Sequence, residues 1–323
     1  MNILVTGAAG FIGSNFVRSL LSGAYHRWAG ARVTALDKLT YAGNRDNLPA
    51  AHEQLTFVPG DICDRALLRE ILPGHDAVVH FAAESHVDRS LQGAGEFFRT
   101  NVLGTQTLLD MVLDSGIARV VHVSTDEVYG SIEEGSWTED WPLAPNTPYA
   151  ASKAGSDLVA RTYWRTHGVD VSITRCSNNY GPYQHPEKVI PRFVTNLLQG
   201  RQVPLYGDGH HVREWLHVDD HCRGIELVLA HGRAGEIYNI GGGNEYSNLA
   251  LTGKLLELTG NGPEMIRRVP DRKAHDVRYS IDESKIREQL GYAPQIGFEE
   301  GLAETVAWYR DNPGWWKAVS DAT

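Results

Sequence analysis

Cysteine is scarce: Cys63, Cys176 and Cys222 are the only three in 323 residues. They are far apart, odd in number and form no C-x-x-C pair, so neither a disulfide framework nor a zinc ribbon is indicated. No apolar run approaches the roughly 18 residues that a membrane span needs. Positive charge is in deficit, with 30 Lys and Arg against 40 Asp and Glu and a formal charge of −10. A duplex-binding protein runs the other way, and no basic block offers a nucleic-acid or anionic-membrane footprint. Internal repeats and low-complexity tails are missing too. The 14 His show no metal-ligand spacing; the adjacent His210-His211 reads as loop, and no metal is expected. The first apolar run begins at Asn2 and leaves no room for a signal peptide, so a soluble cytoplasmic protein is expected.

What is present is ordinary globular usage, 42% hydrophobic and 22% charged, in a length that suits two domains. Short runs rich in β-formers recur at Asn2–Thr6, Arg32–Leu36, Thr56–Val58, Asp76–Phe81, Arg119–Ser124 and Val171–Arg175. Helical patterns lie between them, including about Glu96–Ser115 and a long one from Tyr149 to His167. Several of the strands are apolar throughout, as parallel strands covered on both faces are. The fold class predicted is α/β, a doubly wound parallel sheet. After about Cys176 the texture changes to loops rich in Gly, Pro and aromatics. Helices are predicted there near Pro191–Gln199, His221–Ala230, Asn248–Leu258 and Glu299–Arg310. This reads as a smaller second domain, partly interleaved with the first.

Gly7, Gly10 and Gly13 follow the first strand and open a helix. Glycines let the backbone approach a pyrophosphate, and a helix N-terminus supplies N–H donors and a partial positive charge. Asp37 ends the second strand, where a carboxylate can accept from ribose hydroxyls and repel a 2′-phosphate. NAD is thus favoured over NADP, with Lys38 beside Asp37 as a mild counter-argument. Asp61 and Ile62 end the third strand, where an adenine could lie or a helix could be capped. Tyr149 and Lys153 form a Tyr-x-x-x-Lys on one helical face. A cationic Lys favours the phenolate, which can take a proton from an alcohol while hydride leaves for a nicotinamide.

With Asp37–Asn44, Ala82–Ser90, Ser124–Gly130, Arg175–Pro182 and Tyr238–Gly242, these residues resemble the extended short-chain dehydrogenase/reductases over essentially the whole chain. Within that family they are similar to the enzymes that dehydrate nucleotide sugars. Ala8 stands where the family usually has Gly, outside the three spaced glycines. The resemblance implies a Rossmann-type NAD-binding domain over 1–176 and about 217–242. It places a nucleotide-sugar domain over about 177–216 and 243–323. The substrate it implies is dTDP-glucose, turned over by a tightly bound NAD that is regenerated each cycle. Asp126 and Glu127 stand where related epimerases lack adjacent acids. Dehydration needs one group to remove a proton and one to protonate the departing hydroxyl. Neighbouring carboxyls can differ in protonation if burial or repulsion separates their pKa values. The family assigns Glu127 as base and Asp126 as acid, with Thr125, Tyr149 and Lys153 completing the catalytic set.

For the cofactor, the resemblance implies Gly7, Gly10, Phe11, Ile12, Gly13, Asp37, Lys38, Leu39, Thr40, Asp61, Ile62, Ala82, Ala83, Ser85, Thr100, Tyr149, Lys153 and Asn179. Around the substrate it puts His86, Thr125, Asn178, Lys188, Val189, Pro204, Leu205, Tyr206, Arg213, Asn248 and Asp271 through His275. Arg213 and Arg272 are the expected diphosphate contacts, since a guanidinium suits two-pronged binding. Trp215, Trp315 and Trp316 read as core rather than base-stacking residues. The family commonly forms homodimers through a four-helix bundle. The stretches Glu96–Ser115 and Tyr149–His167 are candidates for it, although their apolar faces suit a sheet equally. A UDP-sugar 4-epimerase, a decarboxylase and a non-catalytic NAD-sensing regulator are the rival readings; none of them needs Asp126 and Glu127 together.

Overall fold

The computed structural model describes residues 1–271 and 275–321. The strands in chain order are β1 Asn2–Thr6, β2 Arg32–Asp37, β3 Leu55–Pro59, β4 Ala77–His80, β5 Arg119–Thr125, β6 Val171–Cys176, β7 Asn178–Tyr180, β8 Val203–Tyr206, β9 Val212–His217, β10 Ile237–Ile240, β11 Asn244–Ser247 and β12 Ile266–Val269. Seven of them make one sheet in the order β10-β6-β5-β4-β1-β2-β3, every neighbouring pair parallel. This is the doubly wound sheet the sequence predicts. Its order reverses between β1 and β4, and a crevice opens at the carboxyl ends of those strands.

The apolar strands are explained by burial on both faces. Ile3, Val5, Val79 and Val121 point to the side covered by the Phe11–Leu21 and Val218–His231 helices. Leu4, Val78 and Val120, on the alternate positions, point to the side covered by Thr105–Ser115 and Pro148–His167. β10 lies far along the chain, yet it returns to the edge of this sheet beside β6. The remaining strands form a three-stranded sheet, β11-β9-β7, and a parallel pair, β12-β8. A separate core with Phe193, Trp215, Leu255, Phe298, Tyr309 and Trp316 supports them. Trp215 and Trp316 are thus core residues, as read from the sequence.

The predicted helix over Glu96–Ser115 is not uniform. Ala94–Phe97 is α-helical, Phe98–Gly104 is a π-helical stretch and Thr105–Ser115 is α-helical again. The wider turn puts Asn101 where its amide accepts from Glu84 N–H at 2.8 Å and donates to Glu84 O at 3.0 Å and to Ser152 Oγ at 2.8 Å. Such π-stretches recur where a helix must serve a site. Among the described residues no helix is long and apolar enough to cross a membrane.

Candidate active site

β1 turns sharply at Gly7, whose φ is +65°. A Cβ on Gly7 would lie 2.6 Å from Ala82 N, and one on Gly13 would lie 2.2 Å from Gly7 O. The first glycine lets the β1 and β4 ends approach each other; the last lets the helix pack onto its own turn. The Phe11–Leu21 helix has Gly10 as its N-cap, with no side-chain cap and no acid in its first turn. The partial positive charge of that N-terminus is therefore left for a ligand anion, and the cradle fits a pyrophosphate. Asp37, at the end of β2, accepts from Ala9 N–H at 2.9 Å and Leu39 N–H at 2.8 Å. Burial raises its pKa against those bonds. Lys38 is turned to Asp61 at 2.9 Å, so its charge is engaged there and does not offset the Asp37 argument.

A cavity of about 280 Å³ runs from this cradle to the carboxyl ends of β5 and β6. It gathers the predicted cofactor residues from Gly7 through Gly13, Asp37, Lys38, Thr40, Asp61, Ile62, Ala82, Ala83, Ser85, Thr100, Tyr149, Lys153 and Asn179. Leu39 is the exception, as it does not line the cavity. It takes a positive φ of 54° and is 40% exposed, so its backbone shapes the loop while its side chain turns outward.

The chemical end of the cavity holds Thr125, Asp126, Glu127, Tyr149 and Lys153. Asp126 and Glu127 begin a 3-10 turn just after β5, and Thr125 caps that turn by accepting from Glu127 N–H at 3.3 Å. Thr125 Oγ1 also donates to Asp126 Oδ1 at 3.2 Å. Asp126 is 1% exposed, and its Oδ2 has no partner among the described residues. Burial, then the charges of Glu127 and Glu214, push its carboxyl well above the usual carboxylate range. Its protonated form is therefore favoured more than that of an exposed carboxyl.

Tyr149 sits in the first turn of the Pro148–His167 helix, which Thr147 caps at the Ala150 N–H. Here one expectation is corrected. Burial and the Glu127 charge push the Tyr149 phenol well up rather than down. Lys153 Nζ donates to Val123 O at 2.8 Å, and burial lowers its own pKa to about 8. Helical spacing put both side chains on one face, but the ammonium reaches back to β5. The hydroxyl of Thr125 lowers the phenol in partial compensation.

A second cavity of about 170 Å³ adjoins the first at His86, Glu127, Asn178, Glu187 and Lys188. Val189, Pro204, Leu205, Tyr206, Arg213, Asn248 and His275 line it as expected. Thr125 and Asp271 do not. Thr125 opens on the first cavity. Asp271 accepts from His275 Nδ1 at 2.6 Å and so acts through it. Arg272, the other expected diphosphate contact, lies outside the described residues. Arg213 projects from β9, donates to Asp276 O at 3.0 Å and rests 4.2 Å from the Tyr279 ring centre. With Lys188 and Arg192 it brings three cationic side chains to a cavity that Asp88, Glu127, Glu187 and Asp276 also line.

The sequence reading missed Tyr41, Glu84, Cys176, Gln184, His185 and Glu187 on the first cavity and Arg192 and Tyr279 on the second. The Tyr41 stretch was noticed as a motif, but nothing local says that its ring faces a ligand. His211, read as loop, stacks on His275 with ring centres 3.8 Å apart. With Asp271 these two offer three ligand atoms within 4.8 Å of one another.

The model of the GDP-mannose 4,6 dehydratase family matches residues 4–305. The dTDP-glucose 4,6-dehydratase of Streptomyces niveus is 59% identical over 321 residues, 99% of this chain and 96% of that protein. The crystal structure of DesIV, a dTDP-glucose 4,6-dehydratase from Streptomyces venezuelae with NAD and dTDP bound, matches with a TM-score of 0.98 and 65% identity, over 99% of this chain and 100% of that one. The UDP-glucose 4-epimerase of Thermotoga maritima is similar at 32% identity and a TM-score of 0.90, over 97% of this chain and 100% of that one.

Proposed function

The chain belongs to the GDP-mannose 4,6 dehydratase family, and from that premise we propose that it converts dTDP-glucose to dTDP-4-keto-6-deoxyglucose and water, with NAD as a recycled cofactor. The fold alone does not choose this reaction, because an epimerase shares it. The observation that carries the reading is Asp126: buried, its carboxyl pushed above the usual carboxylate range, next to Glu127 and opening on the same cavity as Tyr149 and Lys153. An epimerase or a decarboxylase has no hydroxyl to expel and no use for that acid. A regulator that only senses NAD has no use for the whole set.

The residues of the cradle fit NAD: the uncapped helix N-terminus for the pyrophosphate, Asp37 for the ribose hydroxyls, and Tyr149 and Lys153 at the reactive end. When bound, NAD supplies the hydride acceptor for C4, a positive ring that favours the phenolate, and later the hydride for C6. Tyr149 takes the proton of the C4 hydroxyl, with Lys153 as the nearby positive charge. The C4 ketone acidifies C5–H, so oxidation precedes elimination. Glu127 removes the C5 proton and, after exchange with solvent, returns one to C5 when C6 is reduced. Asp126 gives its proton to the C6 hydroxyl, which leaves as water. Thr125 orients Asp126 and donates toward the sugar's C4 oxygen.

Lys188, Arg192 and Arg213 in the second cavity suit the diphosphate. Residues 1–176 with about 217–242 are assigned to NAD, and about 177–216 with 243–323 to the sugar nucleotide. A homodimer through a four-helix bundle is part of the reading. Phe98, Leu103 and Leu158 are 44%, 52% and 52% exposed on the two stretches concerned, which supports a face turned to a second copy rather than to the sheet. Three free cysteines accord with a cytoplasmic setting.

The test is to incubate the purified protein with dTDP-glucose in deuterated water, without added NAD, and follow the sugar by NMR. A 4-keto-6-deoxy product carrying deuterium at C5 is expected. Unchanged dTDP-glucose, with NAD shown to be bound, would overturn the reading. UDP-glucose run in parallel reads the base preference.

A further inference from the structure

The two cavities share a wall, and three segments distant in the chain build it: the loops around Tyr41 and His185 and the short Val87–Gln92 helix with the loop before it. Arg89 Nε donates to Glu187 Oε2 at 3.1 Å, and Arg89 Nη2 donates to the other carboxylate oxygen. The Arg89 guanidinium lies 4.0 Å from the centre of the Tyr41 ring. Tyr41 meets the His185 ring edge-on at 5.9 Å, and its hydroxyl accepts from Ser85 N–H at 3.4 Å. Lys188 Nζ donates to Ser85 O at 2.8 Å. Tyr41, Ser85 and His185 line the larger cavity, and Glu187 lines both. Arg89 is not among the residues lining either cavity, so any effect it has on a ligand travels through Glu187 and Tyr41.

Two of these loops arrive in preset paths. Leu39 and Tyr183 have positive φ, 54° and 67°, and no other non-glycine among the described residues does. A bulky residue keeps that conformation only where its surroundings over-determine it. Asp37 Oδ1 holds the Leu39 N–H at 2.8 Å. Arg18, Trp308 and Trp315 enclose the Tyr183 ring, at 4.2, 4.5 and 5.6 Å. What joins the two loops to the helix carrying Arg89 is the two-pronged ion pair and the ring beneath it.

We propose that the Arg89–Glu187 pair, seated on Tyr41, is a clasp that closes the wall of the larger cavity and keeps NAD resident through the reaction cycle. This rests on the reading of that cavity as the NAD site. A lyase that takes a hydride at C4 and returns it at C6 needs the same cofactor molecule throughout, and a wall tied by side chains rather than by backbone can open between generations of cofactor. Arg89 and Glu187 are 36% and 28% exposed, so salt weakens the pair and the clasp opens more readily at high ionic strength.

The experiment loads the full chain with NADH and measures its release, by loss of cofactor fluorescence, after a chase with excess NAD. Wild type is compared with R89A, R89K, E187A and the exchanged R89E/E187R. The expected result is release about ten-fold or more faster in R89A and E187A, a smaller acceleration in R89K, which keeps the charge but loses the fork, and recovery to within about three-fold of wild type in the exchanged pair. Molar salt should move wild type toward R89A. R89A should also become dependent on added NAD for turnover. Thermal midpoints within about 3 °C of wild type confirm that the variants are folded. Equal release rates from wild type and folded R89A overturn the clasp alone. A wild-type protein that takes up no NAD or NADH overturns the reading of the cavity, and the clasp with it.

Discussion

The two cavities meet at His86, Glu127 and Lys188, yet they are made by different means. The larger is framed by backbone, the strand ends of the seven-stranded sheet, a glycine turn and a helix N-terminus, and side chains such as Tyr41, His185 and Glu187 close its far wall. The smaller is made of side chains brought from β8, β9, the start of the Val189–Leu198 helix and the segment around His275. Steric fit therefore governs the glycine cradle of the first, and charged side chains govern the second. Substitutions that probe them should fail in different ways.

Gly13→Ala gives the largest effect expected. The new Cβ falls 2.2 Å from a backbone oxygen that cannot move aside, so the turn must distort. A destabilisation of about 3 kcal/mol or more is expected in thermal or urea unfolding, together with loss of bound NAD and with little dependence on salt. Arg213→Ala should come next and should do the opposite. The diphosphate loses a charged hydrogen-bonding partner, so KM for dTDP-glucose rises about 10- to 100-fold while the unfolding midpoint hardly moves. That KM penalty should shrink in high salt. A large stability loss in Arg213→Ala, or a salt-sensitive defect in Gly13→Ala, would erase the distinction between the cavities.

Asp126→Asn sharpens the comparison from inside the larger cavity, where burial is used for chemistry at a cost in stability. Burial holds the Asp126 carboxyl above its ordinary value of 3.8. The folded state then binds a proton that the unfolded state has released. The Asp126 contribution to stability is thus greatest below pH about 3.8 and falls as pH rises toward the folded-state value. Asn does not titrate and escapes that fall. Asp126→Asn should be more stable than the parent at neutral pH, with the advantage vanishing near pH 4, while dehydration is lost. Unfolding midpoints measured from pH 4 to 8 check the trend. Lys38→Ala is the smallest effect. The Lys38–Asp61 pair is partly exposed, with 43% and 22% accessible side chains, so less than about 1 kcal/mol of stability is expected to go. The preference for NAD over NADP should persist, because it rests on Asp37.

How much was legible in the sequence divides along the same line. Gly7, Gly10 and Gly13 follow an apolar strand within a few residues, and Asp37 ends the next strand; local pattern sufficed for both. Tyr149 and Lys153 were legible through helical spacing, but the direction of the phenol's shift was not. It depends on burial and on Glu127, and on Lys153 turning to Val123 O, none of which spacing reveals. The π-helical stretch Phe98–Gly104 was hidden because what it serves, the bonds of Asn101 to Glu84 and Ser152, is tertiary. The wall of Tyr41, Arg89, His185 and Glu187 was hidden for the same reason. Its residues are polar and come from two loops and the short Val87–Gln92 helix, and Arg89 and Glu187 are 98 positions apart. In the second cavity only resemblance reached Lys188 and Arg213, and Arg192 escaped it.

The central claim is that Asp126 and Glu127 separate elimination from oxidation. It is tested most directly by mixing the NAD-loaded D126N/E127Q variant with dTDP-glucose and following absorbance at the wavelength of reduced nicotinamide. The account predicts that reduced cofactor forms and stays, since Tyr149 and Lys153 still oxidise C4, while 4-keto-6-deoxy product appears at least about 10²-fold more slowly than from the parent. Product released at the parent rate, with no build-up of reduced cofactor, would contradict it.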